Sequence, residues 1–300
     1  MNGKISNPAQ IAYVRRYTLS AGKENGLKVI EVNNGKLRFL LNESKALDIM
    51  QLWHEGVNIS FLSKNGFTAQ NLPFLQRFEG GMLYTCGLDS IGGREGFELH
   101  GTLHNTPALV TTCTEDKNTL IVKANIATTS LFGKNLLLCR TIKTDILSDT
   151  LTLEDELINC SAKETEYCLL YHVNLGYPFL DKGVTIVSDA ENVIPRNAWA
   201  QKKLANITVF SDCIEDEEEC CYFLQHNTPE IQVKNEKLKK TFTLRYSNDT
   251  LPCFVQWNSA ASGDYALGIE PCTSYLDDQF VYRTIGAQEK IKFTLQMRIS

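Results

Sequence analysis

No apolar run in this 300-residue chain approaches the roughly 18 to 20 residues that a membrane-spanning helix requires. No membrane partner is therefore expected. The stretch Met1 to Arg16 is polar and lacks the apolar core of a secretory signal, so a cytoplasmic location is expected. Basic clusters are missing too. Thirty Lys and Arg stand against 35 Asp and Glu, giving a net charge of -5 and a pI near 5.6. Phosphate backbones need clustered cations, so no nucleic-acid partner is expected. Ten cysteines are present, yet no C-x-x-C pair occurs, which removes zinc ribbons and thioredoxin-type redox sites. Cys139, Cys168, Cys221 and Cys253 sit inside apolar strand-like runs, where a free thiol behaves as a small hydrophobe. The adjacent Cys220 and Cys221 are expected on opposite faces of a strand. No segment sustains a 3.6-residue period over four turns, which disfavours alternating α/β folds. No Pro-, Ser- or Gly-rich linker divides the chain and no internal repeat is visible.

What is present is alternation. Ile291, Phe293, Leu295, Met297 and Ile299 alternate with Lys292, Thr294, Gln296 and Arg298, the pattern of a half-buried strand with one wet face. Phe242, Leu244 and Tyr246 repeat it, as do Ile207 and Val209. The stretch Ser44 to Trp53 reads as a strand through Leu47, Ile49 and Leu52 rather than a short helix. Turn chemistry separates the runs, as at Asn33-Asn34-Gly35, Lys64-Asn65-Gly66 and Ser262-Gly263-Asp264. Many short strands at fairly even spacing predict an all-β antiparallel sandwich or barrel. The expectation is one large domain over residues 1–300, with about the first 20 residues as a peripheral extension. The acidic run Glu215 to Glu219 reads as a solvated hairpin tip between strands.

Three segments join unusual residues to tight turns. The first runs from Arg77 through Gly80-Gly81 and Asp89 to Leu99-His100-Gly101 and His104. The second is Tyr171-His172-Val173-Asn174-Leu175-Gly176-Tyr177-Pro178, and the third is Gly268-Ile269-Glu270-Pro271. Each ends a strand-like run at Gly or Pro, which places its polar residue at a sheet rim, where function concentrates. Two histidines, a glutamate and an arginine at strand ends form an acid–base set. His100 and His104 are four apart, but Gly101 and Pro107 argue against the helix that would align them as metal ligands, so no metal is expected and His104 is read as a groove-lining residue. Tyr84, Tyr171, Tyr177 and Trp257 are expected as core aromatics or as an apolar platform for a ligand, and Gln256 as a further polar contact.

In order and spacing, the Leu99-His100-Gly101 step, the Tyr171-His172-Val173-Asn174 segment and the Gly268-Ile269-Glu270-Pro271 segment resemble the galactose mutarotases of the aldose 1-epimerase family. The longer phrases from Gly80 to Asp89 and from His172 to Pro178 resemble its bacterial galactose mutarotase-like branch, once catalogued as a domain of unknown function. The similarity covers roughly residues 35 to 280. It implies a galactose mutarotase-like β-supersandwich of antiparallel strands, a sugar or sugar derivative as ligand, no cofactor, and a monomer or homodimer. It also implies Glu270 as general base, His172 as general acid and His100 as a hydrogen-bonding partner near the ring oxygen. Arg77 and Asn174 are implied as sugar contacts. The family's sugar-binding aspartate has only positional counterparts here, Asp89 and Asp181, and an anionic substituent would look to Arg94 or Arg196. A non-catalytic sugar-binding protein and a different sugar isomerase are the competing functions on the same fold.

Overall fold

The computed structural model describes residues 3–116 and 118–300. Antiparallel strands dominate it, with only two short α-helices among the described residues, Phe74–Arg77 and Ala198–Lys203. Three sheets carry the architecture. A five-stranded N-terminal sheet runs Tyr13–Thr18, Lys28–Asn33, Leu37–Asn42, Asp48–His54 and Val57–Asn58 in both sequence and space. The strand expected within Ser44 to Trp53 is the fourth of these, but it begins only at Asp48, with Leu47 in the preceding turn at φ +55°. Its pairing slips by one residue between Leu40 and Leu41, which oppose Gln51 and Ile49, so Ile49 and Leu52 can both face the core despite their odd spacing.

An eight-stranded sheet follows the alternation closely. Along Asn135–Asp145 the buried positions are Leu136, Leu138, Arg140, Ile142 and Thr144, and along Thr150–Asn159 they are Leu151, Leu153, Asp155, Leu157 and Asn159. The C-terminal strand Lys290–Ile299 sits beside the latter and buries Phe293, Leu295, Met297 and Ile299. Each such side chain contributes about 1.5 to 3 kcal/mol of burial. Their common direction is what faces this sheet towards its neighbour.

The third sheet is covered on both sides. Its central strands, Thr165–Gly176 and Ala266–Cys272, are buried at nearly every position. Inward-pointing Leu169, Tyr171, Val173 and Leu175, with Leu267 and Ile269, join the main core. The alternate positions Cys168 and Leu170, with Cys221, Phe223, Val255 and Cys272 from neighbouring strands, form a second apolar cluster on the outer face. Segments at residues 74–78 and 92–100, with loops that carry Arg196, Glu219 and Leu276, line the cavity described below on that face.

Two local expectations change. Ile207 and Val209 are not a strand, because Ile207 caps a 3-10 turn and Val209 makes only an isolated bridge to Thr185. The acidic run leads into the strand Cys220–His226 but is preceded by a loop rather than a strand. All ten cysteines are free, and Cys220 and Cys221 do face opposite ways, one into each apolar cluster.

Candidate active site

His172 and Glu270 meet because of register. Val173 opposes Ile269 and Leu170 opposes Cys272, so the antiparallel pairing sets His172 across from Glu270 on the outer face. On the far side Glu270 opposes Val255, and Gly268 opposes both Asn174 and Trp257. His172 Nε2 lies 3.3 Å from Glu270 Oε1. Gly268 makes the approach possible. A Cβ there would stand 2.4 Å from Glu270 Oε1, 3.1 Å from Trp257 Cβ and 3.2 Å from His172 Cε1.

The pair floors a cavity of about 260 Å³ walled by Phe74, Phe78, His100, Trp257 and Leu276, with Arg196 and Glu219 at its rim. The ring of His172 lies 5.6 Å from that of His100 and 5.5 Å from that of Trp257, both edge-on, and 5.6 Å from Phe78. His100 is held in the left-handed region, φ +63°, which a histidine tolerates better than most residues. Its carbonyl accepts from Gly87 N–H and its own N–H donates to Gly92 O, both at 3.1 Å. Gly92 N–H donates to His100 Nδ1 at 3.4 Å, which leaves Nε2–H as the ring's donor in the neutral imidazole.

The cavity is electrostatically dry. Burial pushes the Glu270 carboxyl well above the ordinary carboxylate range, and the charge of Glu219 adds to the effect. Burial likewise drives His172 well below the usual imidazole value, helped by His100. His100 itself is lowered to about 4 by burial and by the charge of Arg196. These shifts favour the uncharged forms of the carboxyl and of both imidazoles. Among the described residues neither Glu270 Oε1 nor His172 Nδ1 has a hydrogen-bond partner. Buried orphans of this kind mark a place where a polar ligand completes the bonding.

The other expected contacts scatter. Trp257 reaches the cavity, and its indole N–H donates to Glu219 Oε2 at 2.7 Å. Gln256, one residue earlier on the strand, points away from it by the two-residue period and donates to Ile207 O and Asn258 Oδ1. Asn174 is fully buried and donates to the His172 carbonyl at 3.0 Å, a supporting rather than a lining position. Arg77 lies across the Phe74–Arg77 helix, lining a separate cavity of about 670 Å³ and donating to Glu98 at 3.1 Å. That larger cavity's cations are already engaged, Arg77 by Glu98 and Lys45 by Glu79 at 2.7 Å. The smaller cavity instead holds buried polar atoms without a hydrogen-bond partner, Glu270 Oε1 and His172 Nδ1.

His104 does not line the cavity. It is 2 % exposed, its Nδ1 stands 2.6 Å from Asp48 Oδ2, and its ring stacks on Tyr84 with centroids 3.7 Å apart. It belongs to a buried polar network that the strand alternation could have revealed. Arg140 and Asp155 sit in phase with the leucines of their strands, at positions a solvated charge would avoid. Arg140 donates to Asp155 at 2.8 Å and to Thr85 Oγ1 at 3.0 Å, and pairs with Asp48. Burial would raise the Asp48 carboxyl, but Arg140 and His104 override it and hold it low. Tyr171 donates to Asp155 at 2.8 Å from the strand that carries His172, so this network braces the floor of the site from behind.

Tyr84 is buried beside His104, and Tyr177 is 70 % exposed, so neither is a platform in the cavity. Asp89 accepts from Thr102 in a turn, and Asp181 pairs with Lys237 at the surface. Arg94 is boxed by aromatic rings outside the cavity, whereas Arg196 is at the rim. Phe74, Phe78 and Leu276 are lining residues for which the sequence predicts no role, and Glu219 is expected from it only as part of a solvated hairpin tip, because these short segments carry no periodic signal.

The fold recurs among solved structures. A Klebsiella pneumoniae protein described as a putative aldose 1-epimerase superposes with a TM-score of 0.86 at 19% identity, covering 95% of this chain and 83% of that one. A galactose mutarotase-like protein from Clostridium acetobutylicum gives 0.73 at 14% identity over 97% and 99%. A second protein described as a putative aldose 1-epimerase, from Escherichia coli K12, gives 0.62 at 11% over 96% and 99%. At these identities the likeness shows the fold alone. No curated protein matches the chain. A family model described as a domain of unknown function, DUF4432, matches residues 24–298, and the chain belongs to that family, on a galactose mutarotase-like all-β fold.

Proposed function

We propose that the protein is an aldose 1-epimerase-like enzyme that interconverts the α and β anomers of a sugar. The observation that carries this reading is the His172–Glu270 pair, 3.3 Å apart on the floor of a sugar-sized cavity, with buried polar atoms left unsatisfied. Ring opening of a cyclic sugar removes the proton from the anomeric hydroxyl, delivers one to the ring oxygen, breaks the C1–O5 bond and forms the C1 carbonyl. One base and one acid suffice. Rotation about C1–C2 and the reverse transfers then give the other anomer.

The pair holds one dissociable proton whichever group carries it. Burial favours the form with that proton on Glu270 and His172 neutral. Binding of a polar sugar replaces the missing solvation, and the proton then passes from Glu270 to His172. Glu270 is then the base for the anomeric hydroxyl and His172 the acid for the ring oxygen. After opening, the proton is back on Glu270, so both dyad states serve the cycle and neither direction is disfavoured. His100 Nε2–H donates to a ring or hydroxyl oxygen, and Trp257 presents an apolar surface to a sugar face. Each acid or base of this kind contributes about 10²- to 10⁴-fold.

Support comes also from the neighbours of known name and from the family likeness of the three motifs. The test is saturation-transfer NMR or polarimetry over a panel of free hexoses with the wild-type protein, His172→Ala and Glu270→Ala. Anomerisation that survives both substitutions unchanged refutes the assignment. Ligand-induced stabilisation without faster anomerisation points instead to a sugar-binding protein on the same fold.

A further inference from the structure

The rim of the cavity is made by three loops that bring charges together. Arg196 follows the strand Ala190–Pro195, Glu219 ends the acidic run, and Asp277 opens a 3-10 turn. Arg196 is the only Lys or Arg lining the cavity among the described residues. Its guanidinium is committed. Nε and Nη2 donate to the two carboxylate oxygens of Asp277 at 2.6 and 3.2 Å, a bidentate fork, and Nη1 stands 3.7 Å from Glu219 Oε1. Glu219 turns its other oxygen to the indole N–H of Trp257. Arg94, which does not line the cavity, turns its face to Phe280 at 3.9 Å and Tyr282 at 4.8 Å.

One cation thus faces two carboxylates at the rim. We propose that the cavity selects an uncharged sugar, and that Asp277, by holding Arg196, is the positioning residue that excludes sugars bearing a phosphate or carboxylate. This rests on the sugar-site reading above and adds the substrate class to it. An anionic substituent entering here must either take Arg196 from Asp277, leaving that carboxylate bare, or sit beside Glu219. The rim is about one-third to one-half exposed, so screening limits the discrimination to about tenfold or somewhat more at low salt.

The experiment measures binding by calorimetry or ligand-observed NMR for glucose and galactose against their 6-phosphates and the matching uronates. Anomerisation rates of the same sugars are followed in parallel. The wild-type protein binds the free hexoses at least about tenfold tighter than the anions at low salt, a gap that narrows at high salt. Asp277→Asn frees Arg196 and raises affinity for the 6-phosphates by about tenfold, a gain that mere loss of packing does not produce. A wild-type preference for the anions, or an Asp277→Asn protein that gains nothing, overturns the proposal. Selective binding of free hexoses without faster anomerisation sinks the enzymatic reading and leaves the selectivity standing. Faster anomerisation of phosphates than of free sugars does the reverse. Failure of both sugar classes to bind overturns both.

Discussion

Glu270→Gln replaces the buried carboxyl by an amide of the same shape and removes its titration. In the wild-type fold, burial raises this carboxyl well above its ordinary value of 4.5, while in the unfolded chain it ionises normally. Between those two values the folded state holds a proton that the unfolded state has lost. Stability therefore falls as pH rises through that window, by about 1 to 1.5 kcal/mol per pH unit. The Glu270→Gln protein has no such slope. Below the unfolded value the two proteins are similarly stable, and the variant gains on the wild type as pH rises, by about 2 to 3 kcal/mol over two units within the window. Because Glu270 is 1 % exposed, solvent screening does not erode the effect. The readout is the urea midpoint of both proteins from pH 5 to 8, with anomerisation at each pH. The variant is expected to be more stable near neutrality and about 10²- to 10⁴-fold less active. A stability difference that stays flat with pH refutes the reasoning, for it means that Glu270 is already ionised in the fold.

Gly268→Ala puts a methyl 2.4 Å from Glu270 Oε1 on a backbone that accepts alanine, so a loss of about 1 to 3 kcal/mol in stability and a fall in kcat larger than any change in KM are expected from denaturation and steady-state kinetics. His172 titrates the other way from Glu270. Its folded value is depressed, so its contribution is retained above the unfolded value near 6.5 and lost as pH falls towards the folded one, and His172→Gln should flatten the acid limb of the stability profile. Arg140→Met strands the buried carboxylates of Asp48 and Asp155 and should cost about 3 to 5 kcal/mol by denaturant titration, with activity lost through the floor it braces. Trp257→Phe keeps a ring beside His172 but frees Glu219, and should raise KM for sugar with little change in kcat if the indole only positions and packs.

The fold was legible because a two-residue period is a local property. Phe293, Leu295, Met297 and Ile299 all face the core for the same reason that they alternate in the chain. The likeness of the three motifs to mutarotases likewise named His100, His172 and Glu270, which the structure gathers around one cavity. Parity also separates Trp257 from Gln256, although only the choice of core face says which one reaches the site.

Alternation, turn residues and the absence of helical period were enough to determine an all-β chain and the parity of each strand. Register across strands distant in sequence decided that His172 opposes Glu270, and Gly268 leaves the room between them. Loop closure decided that His104 and Arg77 turn away while Glu219 and Arg196 turn in. Such placements depend on which partners meet when the sheets pack, and the energy that sets them is non-local. A side chain's direction along a strand is encoded in its neighbours, but its partner is encoded in the whole fold.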